Sequence, residues 1–109
     1  IQSACVAALE TDISAMADHY AKLREFAYAR LIQMGLACPK PDGAFYLFPA
    51  VPESETSDED FCTRLLRQGG VATVPGSCFG APGHFRISCA CDEKLLEEGL
   101  RRLENFICK

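Results

Sequence analysis

Residues 70–90 read GVATVPGSCFGAPGHFRISCA, and no other stretch constrains the fold of this chain as tightly. Residues 71–74, VATV, are strand-like; Pro75, Gly76, Gly80, Pro82 and Gly83 punctuate the next nine positions; a second strand-like segment begins at Phe85. The pattern predicts a strand, a compact loop and a second strand. A Walker loop needs a lysine after its last glycine and a helix behind it, and a dinucleotide fingerprint also opens a helix. This loop has no lysine and runs into a strand, so it is not a phosphate cradle. Its glycines suit a tight turn that passes close to another surface.

The segment FRISCA alternates. Phe85, Ile87 and Cys89 point to one side, which helices can cover, while Arg86, Ser88 and Ala90 point to the other. An arginine in a short strand bordered by apolar residues is seldom buried without a partner. Arg86 therefore either reaches water or meets a carboxylate or phosphate.

The rest of the chain reads as scaffold for that strand. Residues 1–10 form a short alanine-rich helix, apolar nearly all round, whose burial calls for a partner beyond the remaining chain. Thr11 or Asp12 can cap a long second helix with Ile13, Met16, Tyr20, Leu23, Ala27, Leu31 and Met34 at helical spacing and Gly35 at its end; His19 falls on its solvated flank. Asp42-Gly43 marks a turn, and residues 44–48, AFYLF, form a strand apolar on both faces. Ser57 caps a third helix whose Asp58, Glu59 and Asp60 suit the helix dipole and whose Phe61, Leu65 and Leu66 face inward, with Gly69-Gly70 as its stop. Asp92 caps the last helix, with a stripe of Leu96, Leu100, Leu103 and Ile107.

The resulting order of helix, strand, helix, strand, strand, helix predicts an α+β small domain, a three-stranded sheet with helices packed on one face. The first two strands can run parallel, with the third antiparallel to its neighbour. The face that carries Arg86 and Ser88 is then uncovered, and the aromatic residues of AFYLF mark it as an interaction surface.

Composition narrows the function. A chain of 109 residues, 49% hydrophobic and 24% charged, suits one compact domain. A net charge of −4 with 11 scattered Lys and Arg residues argues against nucleic-acid binding. No apolar run approaches the roughly 20 residues of a membrane span, and IQSACVAALE lacks the basic lead-in and cleavage site of a signal peptide. Seven cysteines, an odd number, exclude full disulfide pairing and point to a reducing, cytoplasmic setting. Cys89-x-Cys91 near His84 lacks zinc-ligand spacing, because alternation turns His84 away from both; no metal is expected.

The phrases PDGAFYLFP, LLRQGGVATVPGSCFG and FRISCA, with the E-G-L-R-R-L helix behind them, resemble the carboxyl-terminal part of the class I and II, fold-type I, pyridoxal-phosphate aminotransferases. The likeness runs from QSACVAALE to the last helix. It implies that residues 1–10 are the end of the helix joining the small and large domains, and that residues 11–109 are the small domain of an α/β transferase. It further implies transfer of an amino group from an α-amino acid to a 2-oxo acid, pyridoxal 5′-phosphate as cofactor, and a homodimer. Of the family's functional residues only Arg86 carries over, as the clamp for the substrate α-carboxylate. A guanidinium holds a carboxylate through two parallel charge-assisted hydrogen bonds, which lysine cannot copy.

The family's cofactor-bearing lysine has no counterpart here. Lys22 and Lys94 lie on helices among charged neighbours, Lys40 sits between prolines and Lys109 is terminal. No catalytic and no cofactor-binding residue is therefore assigned, and the chain alone is expected to be inactive, its missing partner being the large domain. A lyase or synthase of the same fold, and the aminotransferase-like sensor domain of a transcription regulator, are the alternative readings.

Overall fold

The computed structural model describes residues 1–108; Lys109, one of the four lysines of the chain, lies outside them. The chain forms α1 (Gln2–Leu9), α2 (Ser14–Gln33), β1 (Tyr46–Leu47), α3 (Asp58–Arg64), a π-helical turn (Leu65–Gly69), β2 (Val74–Pro75), a 3-10 turn (Gly76–Phe79), β3 (Phe85–Ser88) and α4 (Glu93–Ile107). This is the expected small α+β domain.

β3 is the central strand, in the order β1-β3-β2, and both neighbours are antiparallel to it. β1 and β2 therefore run in the same direction without touching, as the crossover rule allows. Backbone pairing extends beyond the named strands. Cys89 N–H donates to Phe45 O at 2.7 Å, Phe85 N–H to Pro49 O at 2.9 Å, and Ala50 bridges His84. The expected second strand at residues 71–74 forms only from Val74 onward. Val71 is still tied to the preceding helix, its N–H donating to Leu65 O, and Gly70 takes the left-handed conformation at φ 67° that ends that helix.

Leu47, Phe85 and Cys89 from the sheet meet Leu23, Ala27 and Leu31 of α2, Phe61 and Leu65, and Leu96, Leu100 and Leu103 of α4 in one core. Fully burying each such leucine or phenylalanine contributes about 1.5–3 kcal/mol. Phe61 is the hinge of this packing, its ring centroid 5.1 Å from Phe85 and 5.7 Å from Phe106. Arg30 of α2 and Glu104 of α4 pair at 2.8 Å, so the two helices are also held at their polar rim.

Two caps occur as expected: Ser57 accepts from Asp60 N–H at 3.2 Å and Asp92 from Lys94 N–H at 3.0 Å. Other expectations require correction. Asp12 accepts from the N–H and hydroxyl of Ser14, the first residue of α2, but Ile13 holds the N-cap position, while Thr11 donates back to Ala7 O and closes α1 instead. Leu66 is 53% exposed where Leu65 is buried; successive helical residues stand about 100° apart, and only one of the pair can face the core. Ile13 and Met16 continue the α2 stripe in sequence but are exposed, and α1 buries no residue at all. These helical turns extend beyond the core of the domain, whose overall dimensions are 49 × 28 × 24 Å.

Candidate functional site

Arg86 stands in the middle of the central strand, directly opposite Val74 of β2. Its alternation is as read: Phe85 and Cys89 are fully buried, whereas Arg86 is half-buried and Ser88 exposed on the other side. The β1–β3 register of Tyr46 with Ser88 and Leu47 with Ile87 places Phe48 across from Arg86. One uncovered sheet face thus carries Arg86, Ser88 and His84 together with Tyr46 and Phe48.

The guanidinium carbon of Arg86 lies over the Tyr46 ring, 4.3 Å from its centroid, and over the Phe79 ring at 4.6 Å. Phe79 comes from the 3-10 turn behind β2, so the two rings reach the arginine from elements flanking its strand on either side. Phe48 meets Phe79 edge-on at 6.1 Å and stacks flat on His84 at 5.4 Å. Among the described residues, hydrogen bonds from arginine side chains are made by Arg24, Arg30, Arg64, Arg101 and Arg102. Arg86 makes none, and its N–H groups remain accessible. The arrangement combines a positive charge, two aromatic walls and, among the described residues, five donors without a protein acceptor, features with which a guanidinium can hold an anion.

The loop that supplies Phe79 is anchored at both ends. Gly76 N–H donates to His84 O at 2.7 Å and Ala81 N–H to Gly76 O at 3.0 Å. A Cβ on Gly76 would stand 2.2 Å from Ala81 O and 2.8 Å from His84 O, so the glycine is required by close backbone approach. Asp58, 5% exposed and the one buried charged residue among those described, accepts from Ser77 N–H at 2.7 Å. That bond holds its carboxyl below the usual aspartate range, against the opposing effect of burial. Tyr46 is set by β1 and by the turn before it, where Ala44 adopts φ 58° and its carbonyl accepts from Arg24 Nη1 at 2.7 Å. A left-handed alanine costs about 1–2 kcal/mol, which the pairing on both sides must offset.

Lys22, Lys40 and Lys94 are exposed and none stands on a strand; Lys40 pairs loosely with Glu25 at 3.7 Å. Among the described residues no group of His, Cys, Asp or Glu side chains is placed to hold a metal ion, and His84 faces away from Cys89. The cysteines are free thiols, and burial pushes that of Cys89 up to about 11, so it stays protonated and inert at neutral pH.

Sequence reasoning singled out Arg86 as a candidate but missed its aromatic neighbours and the tie from Asp58 to the loop. Alternation in AFYLF groups Tyr46 with Phe48, but only the β1–β3 register puts that pair on the arginine's face. Nothing in the spacing of PGSCFG signals that a 3-10 turn carries Phe79 back over the sheet, and Asp58 reads from sequence only as favourable charge in a helical first turn.

No described helix is long and apolar enough to cross a membrane. The sequence matches the family described as aminotransferase class I and II over residues 1–103. A probable N-acetyl-LL-diaminopimelate aminotransferase of Bacillus subtilis is 44% identical over 100 residues, covering 90% of this chain and 25% of its own length. An aspartate aminotransferase of Thermotoga maritima is 42% identical over 106 residues, covering 97% of this chain and 27% of its own length. The crystal structure of aspartate aminotransferase from Thermotoga maritima superposes with a TM-score of 0.92 at 42% identity, over 99% of this chain and 28% of that one. The chain thus spans about a quarter of the length of these relatives, and within that span both its sequence and its fold are those of fold-type I aminotransferases. With the match running from the first residue through most of α4, the chain belongs to the aminotransferase class I and II family.

Proposed function

We propose that this chain is the small-domain portion of a pyridoxal-phosphate aminotransferase and that Arg86 is its clamp for the α-carboxylate of an amino-acid substrate. The observation that carries the reading is the state of Arg86: held by two rings, facing an uncovered surface, with no protein acceptor among the described residues. Relatives named for aspartate, for N-acetyl-LL-diaminopimelate and for aromatic amino acids all match this chain. An α-carboxylate beside an amino group is what such substrates share, and it is the group a guanidinium fork reads.

The described lysines do not suit the cofactor. Lys22, Lys40 and Lys94 are solvated and off the sheet, and no residue here is assigned to hold pyridoxal 5′-phosphate or to move a proton. Those tasks fall to the rest of the protein. α1 would be the end of the helix that joins the two domains, residues 11–109 the small domain, and the exposed apolar side chains Val6, Leu9, Ile13 and Met16 the surface that the remainder covers. The whole protein would act as a cytoplasmic homodimer.

What Arg86 does in this reading is bind and orient. Fixing the carboxylate at two points removes rotational freedom from the substrate before the amino group reacts, and that entropy is a large part of what an enzyme can supply. The test is an amino-transfer assay of the whole protein over a panel of α-amino acids, each with a 2-oxo acid acceptor. Acceptor-dependent formation of a new amino acid supports the reading; elimination products without it would favour a lyase, and cofactor-independent ligand binding a sensor.

A further inference from the structure

The geometry points to Tyr46 and Phe79 as positioning residues that fix the Arg86 guanidinium for carboxylate capture without consuming any of its donors. This rests on reading Arg86 as the carboxylate clamp and extends it to residues to which no role has been given.

An arginine side chain has large rotamer freedom, and a clamp that must be ordered on each encounter binds weakly. Proteins usually order arginine with carboxylates or carbonyls, as Glu98 does for Arg101 and Arg102 here at 2.7–2.8 Å. Such partners would neutralise the charge and occupy the N–H groups a substrate needs. Aromatic faces attract the cation through their quadrupole and accept no N–H in the guanidinium plane. With Tyr46 at 4.3 Å and Phe79 at 4.6 Å, Arg86 is held while its charge and its fork stay available.

The support of the two rings fits this task. Tyr46 and Phe79 are 38% and 49% exposed, so neither is a core residue whose place is explained by burial. Phe79 sits on the turn that Asp58 and Gly76 anchor, with Phe48 against its edge. Tyr46 sits two residues after the left-handed Ala44. Local strain and close backbone approach converge on the two side chains that touch the guanidinium.

The test is steady-state amino transfer by the whole protein, using the best substrate pair from the panel. Tyr46→Leu and Phe79→Leu should each raise the KM for the amino acid by roughly 3- to 30-fold, the range expected for a lost cation–π contact, with kcat changing less than about 3-fold. Tyr46→Phe should behave as the parent, since the ring and not the hydroxyl makes the contact. In an Arg86→Ala background neither leucine substitution should change KM further. Because both rings are partly exposed the leucine variants are expected to fold; Tyr46→Met and Phe79→Met, closer in volume, provide the same comparison if either does not. Unchanged KM in the single variants would overturn the proposal, as would an undiminished ring effect without Arg86, which would mean that the rings touch substrate themselves. If Arg86→Ala alone leaves KM unaltered, the clamp reading has failed first, and that result is distinct from the other two.

Discussion

The carboxylate of Asp58, in the first turn of α3, accepts a hydrogen bond from the backbone N–H of Ser77 at 2.7 Å, joining a helix start to the turn that carries Phe79. A folded-state pKa lowered in this way contributes stability that is complete above the unfolded value, near pH ~4, and is lost as pH falls through the folded one. Asp58→Asn keeps an acceptor oxygen and removes the charge. Its thermal midpoint should lie below that of the parent at pH 6, and the difference should shrink by pH 3. A difference that is the same at both values would show that the charge of Asp58 contributes nothing to the fold.

Gly76 occupies a position where any side chain collides with the carbonyls of Ala81 and His84. Gly76→Ala should destabilise the domain by about 1–3 kcal/mol, the usual cost of forcing atoms into a filled space, read as a shift of the urea midpoint with an unchanged slope. Gly80 has open space around its would-be Cβ but a positive φ of 73°. Gly80→Ala should therefore cost less, about 1 kcal/mol of backbone strain. Equal effects at the two positions would contradict the close-approach account.

Thiol reactivity should follow burial. Cys5, Cys78 and Cys108 are exposed, Cys38 and Cys91 are partly covered, and Cys62 and Cys89 are buried, with Cys62 and Cys89 both raised in pKa by that burial. Brief iodoacetamide treatment of the native chain at pH 8 should modify the first three, and Cys62 and Cys89 only after unfolding. Mass spectrometry that finds Cys89 among the first sites would refute the packing of β3 against the helices.

The lysines permit a separate check. This chain mixed with pyridoxal 5′-phosphate and reduced with borohydride should yield scattered, substoichiometric labelling of Lys22, Lys40 and Lys94, which are all solvated. Stoichiometric trapping at a single lysine would mean that a cofactor site exists within these residues.

Much of this structure is legible in the sequence where local chemistry and periodicity agree. Ser57 and Asp92 cap as their positions suggest, Leu96, Leu100 and Leu103 are buried on one stripe, and alternation alone separates Arg86 from Phe85 and Cys89. Failures occur where tertiary context decides. Periodicity does not reveal that Ile13 and Met16 lie outside the core, because their stripe continues unbroken into Leu23. Val71 looks like strand but is claimed by the helix terminus at Leu65. The aromatic setting of Arg86 depends on two non-local events, the β1–β3 register and a 3-10 turn folding back over the sheet, and residue spacing encodes neither.

The most direct measurement compares the parent and Arg86→Ala forms of the whole protein in kcat/KM for the preferred α-amino acid, with bound cofactor quantified by absorbance in each. Two charge-assisted hydrogen bonds to the α-carboxylate contribute about 1.5–3 kcal/mol apiece, so the account predicts a loss of at least about 100-fold with cofactor content unchanged. Full activity in Arg86→Ala would contradict it, as would a loss of activity that tracks loss of cofactor.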